Sequence, residues 1–426
     1  MARTRARRPQ AAAAAAALAL LATACGGGSD GGSGGETLDV WIMEGTHPDA
    51  TAYFDRVAED FRDETGARVN VEFVPWADAH DKFTTAIAGN TLPDVAEVGT
   101  TWTPEFAGAG ALMDVSERVG STDAYVPGLT EAGTVEGGLY GVPWYAGVRS
   151  VIYRTDVFED LGIEQPTTWK AMREAALTVA EERDGMTAFP VPGDAVYQAL
   201  PFVWGSGADI ATRSDGRWTS GLDSPEAREG LSFYTGLATE DGLSSTGAAT
   251  WMETDLQDNF ISGDVAMMIG GSWTPAAMLE ADPGLKGKIG AFPIPGPDGG
   301  YSPSFLGGSH LTISNTTENP DLAWSYIELL TDDANADRWA EATTYFPGKK
   351  KQLEPYTSSD DPLVRPFAEQ MSEAGRGLPA TENFGKVQGD KVLEAMLQEI
   401  LTDEATVEEA TSRAAEEIEQ ILNKDS

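Results

Sequence analysis

The 426-residue chain carries 68 acidic residues against 29 lysines and arginines, a formal net charge of -39. This balance argues against nucleic acid as a partner, because binding to phosphates depends on basic side chains that displace counterions. A hydrophobic content of 41% with 11 tryptophans excludes a disordered chain. A chain of this length is too long for a single hydrophobic core, which predicts two lobes. Its lone cysteine excludes an internal disulfide.

The N-terminus reads as an export signal followed by a tether. Residues 1–24 combine four arginines with an apolar run that is too short to span a bilayer, which needs roughly 20 residues. Cys25 follows, in a sequence that resembles the lipoprotein cleavage box except that Ala22 stands where leucine is usual. Residues 25–35 continue as a Gly/Ser-rich tether. We expect a lipid on Cys25 to anchor the protein to the outer face of the cell membrane; plain secretory cleavage with an inert thiol is the alternative.

Strand and helix patterns alternate after the tether. The helix pattern within residues 49–66 places Phe54, Val57, Ala58 and Phe61 on one face, with Gly66 as a stop signal. Alternation of this kind predicts the α/β class, with a parallel sheet covered by helices on both faces. The predicted order is strand 38–43, helix 49–66, strand 68–74, helix 78–89 and strand 94–98.

Capping signals mark helices later in the chain. Ser224 and Asn319 each precede a proline that suits the first helical turn. Thr168 precedes a helix predicted over 169–183, and the acidic segment 406–422 carries an Ala/Ile/Leu stripe. That stripe predicts a C-terminal helix packed on the body of the protein.

Tryptophan and tyrosine recur in predicted loops beside small residues. The indole face matches the C–H face of a pyranose ring, polar side chains match its hydroxyl rim, and glycine allows close approach. Core packing is the alternative for any single ring, but four rings at strand ends or loops favour a carbohydrate site, since crevices in open α/β sheets lie there. The four segments are TTWT (100–103), VPWYAG (142–147), FVWGSG (202–207) and GGSW (270–273).

Motifs for catalysis or metal binding are missing from the sequence. The three histidines, His47, His80 and His310, are far apart and offer no zinc-ligand spacing, and we expect neither metal nor cofactor. A phosphate-binding Walker loop and a serine nucleophile elbow are also missing. Glycoside hydrolysis needs two carboxylates, and some pair among the 68 acidic residues could supply them, but nothing in the sequence singles out two of them. We expect a protein that is not an enzyme; a secreted carbohydrate-active enzyme is the alternative.

Ordered segments resemble the extracellular solute-binding proteins of sugar importers, the maltose-binding-protein type. The resemblance runs from about residue 36 to the C-terminus, and VWIMEGTHPD and EVGTTWTPEFAGAGAL resemble the chitobiose-type binders of actinobacteria. The family segments are LPDVAEVGTTWTPEFAGAGALMDVSE, GVPWYAGVRSVIYRTDVFEDLGI, FISGDVAMMIGGSW and PSFLGGSHLTISNTTENPDLAWSYIELLTDD.

This resemblance implies a two-lobed periplasmic-binding-protein fold of type II, with three crossing strands and the ligand cleft between the lobes. Lobe 1 would comprise 36–147 plus 293–329, and lobe 2 148–292 plus 330–426. The implied ligand is a sugar or short oligosaccharide, with a β-linked disaccharide such as chitobiose as the first choice. The implied partners are the permease subunits of an ATP-binding-cassette importer, and the protein would act as a monomer. A non-sugar solute on the same fold is an alternative.

The resemblance also implies which residues contact the ligand. Two positions depart from the family: Ala146 to Val148 lack an acid or asparagine found in many relatives, and His310 stands where asparagine is common. Ring stacking would then carry more of the affinity. The implied ligand-binding residues are Glu44, His47, Thr101, Trp102, Trp144, Tyr145, Arg149, Tyr197, Trp204, Ser272, Trp273, Gly308, Ser309, His310 and Tyr345.

Overall fold

A computed structural model describes residues 36–45 and 49–424. The expectations for the export signal, Cys25, the tether and His47 therefore lie outside the described residues. Within the described ranges, none of the helices combines the length and the apolar character that a membrane span requires.

The described part of the chain contains both strands and helices. The strands are β1 (Thr37–Glu44), β2 (Arg68–Pro75), β3 (Val95–Gly99), β4 (Thr134–Val135), β5 (Gly138–Leu139), β6 (Val142–Arg154), β7 (Ala211–Ser214), β8 (Arg217–Ser220), β9 (Met267–Gly271), β10 (Ile289–Phe292), β11 (Ser304–Ile313), β12 (Phe346–Pro347) and β13 (Gly375–Arg376). The helices are α1 (Thr51–Thr65), α2 (Trp76–Gly89), α3 (Thr103–Gly108), α4 (Ser116–Val119), α5 (Pro127–Ala132), α6 (Thr155–Leu161), α7 (Trp169–Glu182), α8 (Leu200–Gly205), α9 (Pro225–Thr239), α10 (Glu253–Ile261), α11 (Thr274–Ala281), α12 (Pro320–Leu330), α13 (Asp333–Thr343), α14 (Lys350–Thr357), α15 (Arg365–Ala374), α16 (Phe384–Gly389), α17 (Val392–Leu401) and α18 (Val407–Leu422).

The first five elements confirm the predicted α/β alternation. Strand β1 pairs in parallel with both β2 and β3. Helix α1 buries Phe54, Val57 and Phe61, whereas Ala58 is only half-buried. It ends at Gly66, whose φ of 78° is left-handed and suits glycine. Because parallel strands end on the same edge of a sheet, the loops after β1, β2 and β3 meet at one edge.

Two long strands connect the parallel strands to the rest of the molecule. Strand β11 is antiparallel to β3 on one side and to β6 on the other. The first half of β6, from Val142 to Val148, pairs with β11, and the second half, from Arg149 to Arg154, pairs with β9 and β10. A single strand therefore belongs to both halves of the molecule.

Separate apolar cores flank these crossing strands. One core contains Phe54 of α1, Trp144 of β6 and Trp339 of α13. Another is built from helices α7, α8, α9, α17 and α18. The residue bounds of the two lobes stay a prediction. Helix α13, which those bounds assign to lobe 2, packs its Trp339 on the same core as β1 and α1.

Helix ends and the C-terminal helix match the sequence with one exception. The Oγ of Ser224 accepts from the N–H of Ala227 at 3.1 Å, and Thr168 caps α7 in the same way through Ala171. The prediction that Asn319 caps α12 is wrong, since its side chain makes no capping hydrogen bond, although the helix does begin at Pro320. Helix α18 buries its Ala/Ile/Leu stripe, which confirms its expected packing on the body.

Candidate functional site

A cleft of about 490 Å³ lies where strand ends, the two crossing strands and several helices meet. This volume is within the usual range for small-molecule sites, about 300–1,000 Å³. Aromatic rings and backbone at glycines make up much of its wall. The lining residues are Gly45, Trp76, Gly99, Thr100, Thr101, Trp102, Tyr145, Arg149, Tyr197, Glu253, Thr254, Gln257, Trp273, Ala277, Glu280, Phe305, Gly307, Gly308, Ser309, Tyr345 and Gln388.

Trp102 and Trp76 form the aromatic wall at the ends of the parallel strands. Trp102 lies just after β3 and Trp76 just after β2, with ring centroids 5.3 Å apart. The imidazole of His80 packs edge-on against Trp102 at 5.2 Å and hydrogen-bonds Glu105 at 3.0 Å. That hydrogen bond raises the pKa of His80. The Trp102 ring is thus held by neighbours on its own side of the cleft.

Trp273 forms a second aromatic wall, at the end of β9. Its indole lies against the backbone of Gly147 and Gly271: a Cβ added to Gly147 would be 2.4 Å from Cζ3 of Trp273, and one added to Gly271 would be 2.3 Å from Cε2. Both distances are far inside van der Waals contact, so only glycine fits at either position. The lack of an acid or asparagine at residues 146–148 therefore has a physical reason at Gly147, because a side chain there would overlap the Trp273 ring. Tyr345 lies 5.3 Å from Trp273 and 4.4 Å from Tyr145.

A buried carboxylate, Glu97 of β3, holds the side chains between these walls. Its Oε1 accepts from the hydroxyl of Tyr145 and, at 2.6 Å, from Ser309; its Oε2 accepts from the N–H of Met43 at 2.8 Å. Burial and then the negative charge of Glu97 raise the pKa of Tyr145. The phenol therefore stays protonated and donates, which fixes the orientation of a ring that lines the cleft.

Arg149 lines the cleft among aromatic rings. Its Nη2 donates to Oε2 of Glu253 at 2.6 Å, and only 5% of its side chain is exposed. The guanidinium carbon lies 4.7 Å from the ring centroid of Tyr197, 5.3 Å from Trp273 and 5.5 Å from Phe305. Such contacts place a positive charge on the negative faces of the rings.

Tyr197 is fixed by stacking and by a hydrogen bond. Its ring stacks on Phe305 with centroids 4.3 Å apart and planes 13° apart. The amide of Gln388 donates to its hydroxyl at 2.8 Å. Burial raises the pKa of Tyr197 to about 12, so the phenol is neutral at physiological pH.

Most of the expected ligand-binding residues lie on the cleft. They come from the loop after β3, from both crossing strands, from the turn at Val196–Gln198, and from the segments after β9 and α13. Whether they bind a ligand stays a prediction. The expected residues that line the cleft are Thr101, Trp102, Tyr145, Arg149, Tyr197, Trp273, Gly308, Ser309 and Tyr345.

Three expected residues, Trp144, Trp204 and His310, lie in the interior and do not line the cleft. Trp144 is 2% exposed and stacks on Trp339. Trp204 is 3% exposed, because it lies on helix α8 and packs in its core rather than on a loop. His310 is fully buried, where Nδ1 accepts from Oγ1 of Thr103 at 2.8 Å and Nε2 donates to a backbone carbonyl at 2.9 Å.

Two others lie beside the cleft without lining it. Glu44 ends β1 next to Gly45, which does line the cleft, and Ser272, which precedes Trp273 in the sequence, is buried. His47 lies outside the described residues. Within residues 36–45 and 49–424, no three His, Cys, Asp or Glu side chains group closely enough to hold a metal ion.

Several lining residues are absent from the sequence prediction. Trp76 follows a parallel strand directly, so the strand-end rule that pointed to Trp102 could have found it too. Glu253, Thr254 and Gln257 lie on one helix, α10, that carries no local motif, and Gln388 comes from α16. Nothing in their sequence context marks them.

Known proteins match this chain in sequence. The diacetylchitobiose-binding protein DasA of Streptomyces coelicolor is 30% identical over 324 residues, 75% of this chain and 75% of that protein. The arabinooligosaccharide-binding protein of Halalkalibacterium halodurans is 26% identical over 318 residues, 72% of this chain and 70% of that protein.

The fold and the family follow from two further matches. The solute-binding protein of an ABC transporter from Thermotoga lettingae, solved with α-D-tagatose, superposes with a TM-score of 0.79 at 26% identity, covering 91% of this chain and 100% of that one. Likeness to proteins of the maltose-binding type confirms the two-lobed type II fold. The sequence profile described as bacterial extracellular solute-binding protein matches residues 44–337. This chain therefore belongs to the bacterial extracellular solute-binding protein family.

Proposed function

We propose that this protein is a lipid-anchored extracellular binding protein that captures a sugar or short oligosaccharide for an ATP-binding-cassette importer. The observation that carries the proposal is the cleft with aromatic rings at the ends of separate strands, Trp102 after β3 and Trp273 after β9. Rings in such places can stack on the C–H faces of pyranose units. The named ligands of the relatives, diacetylchitobiose and arabinooligosaccharide, support the same class.

Polar groups between the rings suit the hydroxyl rim of a sugar. Thr101 and Gln257 supply neutral donors and acceptors on the cleft wall. Glu253 and Glu280 add carboxylates that accept hydrogen bonds from hydroxyls. A β-linked disaccharide such as chitobiose is the ligand we propose first, because the chain resembles chitobiose-type binders around Glu44 and Trp102.

Ligand capture by closure of two lobes fits the crossing strands. Tyr145 and Arg149 lie on β6, whose halves pair with different strands, and Ser309 lies on β11. A ligand that contacts groups from both sides of these strands binds the closed arrangement better, and so shifts the population toward it. The permease subunits would then recognise the closed monomer. Lobe 1 (36–147 plus 293–329) and lobe 2 (148–292 plus 330–426) are the proposed moving parts.

Calorimetry against N,N′-diacetylchitobiose, cellobiose, maltose and trehalose tests the ligand. We expect binding heat with the two β-linked sugars, and most with N,N′-diacetylchitobiose. Heat with maltose or trehalose alone would overturn the β-linked choice and leave sugar binding intact. Heat with none of the sugars would favour a non-sugar solute. Incubation with each sugar followed by chromatography tests for catalysis, and cleavage products would favour a secreted carbohydrate-active enzyme.

A further inference from the structure

Helix α13 ends in a left-handed turn at a residue that is poorly suited to it. Thr344 follows the helix with φ at 62° and ψ at 14°, and its N–H donates to the carbonyl of Ala340 at 2.8 Å. Helices α1, α2 and α6 end in the same conformation at Gly66, Asn90 and Gly162, which tolerate a positive φ. Threonine is branched at Cβ, so this conformation strains its backbone, and no other β-branched residue in the described ranges has a positive φ. A strained residue persists only where its surroundings hold it.

The turn at Thr344 leads directly into a residue of the cleft wall. Tyr345 lines the cleft, and its ring centroid lies 4.4 Å from that of Tyr145 and 5.3 Å from that of Trp273. Phe346, the next residue, begins β12, which pairs with β6. The left-handed turn therefore directs the chain from α13 into the sheet and sets Tyr345 between two other rings of the cleft.

The side chain of Thr344 also reaches the segment that carries Trp273. Its hydroxyl oxygen lies 3.3 Å from the carbonyl oxygen of Ser272 and 2.6 Å from that of Thr343, and its one proton can be donated to either. The contact with Ser272 joins two parts of the molecule. Helix α13 packs through Trp339 on the core of α1 and β1, whereas Ser272 follows β9, which pairs with the second half of β6.

We propose that Thr344 is a positioning residue for the cleft, and that its strained turn and its hydroxyl hold Tyr345 and Trp273 against each other. Thr344 does not itself line the cleft, so it acts through these two rings. Glycine at this position would relieve the strain, but it would remove the hydroxyl and let the turn adopt other conformations. The inference rests on the proposed sugar-binding function and names a residue outside the cleft wall on which that function depends.

The variant Thr344→Gly separates positioning from stability. Glycine adopts a positive φ without strain, so the melting temperature of the sugar-free variant should equal or exceed that of the wild type. The two rings lose their support, so the affinity for the sugar that the wild type binds most tightly should fall about tenfold, as for the loss of one hydrogen bond. A purely structural residue would change stability and affinity in the same direction. An unchanged affinity, or a lowered melting temperature, would overturn the inference.

Two further variants at the same position separate the hydroxyl from the branched Cβ. Thr344→Ser keeps the hydroxyl and removes the branch, and it should bind sugar as the wild type does. Thr344→Val keeps the branch and removes the hydroxyl, so it should bind as weakly as Thr344→Gly and melt at a lower temperature than the serine and glycine variants. A serine variant that binds as weakly as the glycine variant would overturn the inference.

Fluorine NMR of protein labelled with 5-fluorotryptophan follows Trp273 without any sugar. The resonance of Trp273 is the one that disappears in Trp273→Phe. We expect this resonance to shift or broaden in Thr344→Gly and to stay in place in Thr344→Ser. An unmoved resonance in the glycine variant would overturn the inference. If the wild type bound no sugar, the proposed function would fail, whereas this measurement would still decide whether Thr344 positions Trp273.

Discussion

The indole of Trp144 stacks on that of Trp339, with ring centroids 4.6 Å apart and planes 22° apart. Both rings are buried, and Phe54 packs edge-on against each of them. Trp144→Ala should lower the free energy of unfolding by about 3–5 kcal/mol, because it opens a cavity in a close-packed core. Denaturant unfolding without sugar measures this loss. An unchanged stability with lost sugar binding would place Trp144 in the site instead.

Trp102→Ala and Trp273→Ala should weaken sugar binding rather than the stability of the fold. Both rings are half-buried on the cleft wall, so their removal should change the melting temperature of the sugar-free protein little. By analogy with base–aromatic stacking, the loss of one ring should cost about 1–3 kcal/mol of binding. That is about a ten- to hundredfold fall in affinity, which calorimetry can resolve. Unchanged affinity in both variants would remove these rings from the proposed site.

Gly147→Ala should disturb Trp273 without touching its side chain. The added Cβ would lie 2.4 Å from the indole, so the ring has to move. We expect a weaker affinity for sugar and a changed Trp273 environment in tryptophan fluorescence. Gly389→Ala is the control, since a Cβ there meets no heavy atom within 4 Å. Equal affinities in the two variants would contradict the packing argument.

His310 should make stability fall as the pH is lowered. Burial lowers its pKa from 6.5 to about 4 in the folded protein, so the unfolded chain binds more protons between these values. Its contribution is therefore complete above about pH 6.5, is lost as the pH falls towards 4, and reaches about 3 kcal/mol. His310→Asn removes the titrating group. Unfolding of both proteins between pH 7.5 and 4 should show the steeper loss in the wild type; parallel curves would contradict the prediction.

Cys25→Ala should release the protein from the cell. The prediction rests on the arginine-rich apolar signal ahead of Cys25 and on the Gly/Ser tether after it. Fractionation of cells that express the variant should find it in the medium, and the wild type with the membrane. A variant that stays with the membrane fraction would argue against a lipid anchor.

Strand ends were the part of the site that sequence could predict. Trp102 and Trp273 each come within three residues of the end of a buried strand, and the end of a strand can be predicted from the local sequence pattern. Trp144 and Tyr145 show the limit of such reasoning. They are neighbours on β6, and successive side chains of a strand point to opposite faces of the sheet. Both faces of β6 are buried here, so the pattern of apolar residues does not show which face meets the cleft. Which of the two faces the cleft depends on Trp339, nearly 200 residues later in the chain.

The acidic residues of the cleft could not be predicted for a related reason. Glu97 and Glu253 are two of 68 acids, and their surroundings in the sequence resemble those of many exposed ones. Glu97 is distinguished only by burial beneath Tyr145 and Ser309, and Glu253 only by its pairing with Arg149. Both contacts join residues from distant segments.

The position of β11 also governs the order in which the protein can be completed. It lies between β3 and β6, so the strands at residues 95–99 and 142–154 have no common neighbour until residues 304–313 exist. Pairings between such distant segments close large loops, and they form slowly. During synthesis the first 300 or so residues lack the strand that unites their sheet. A chain with this topology cannot complete its central sheet until residues 304–313 have been made.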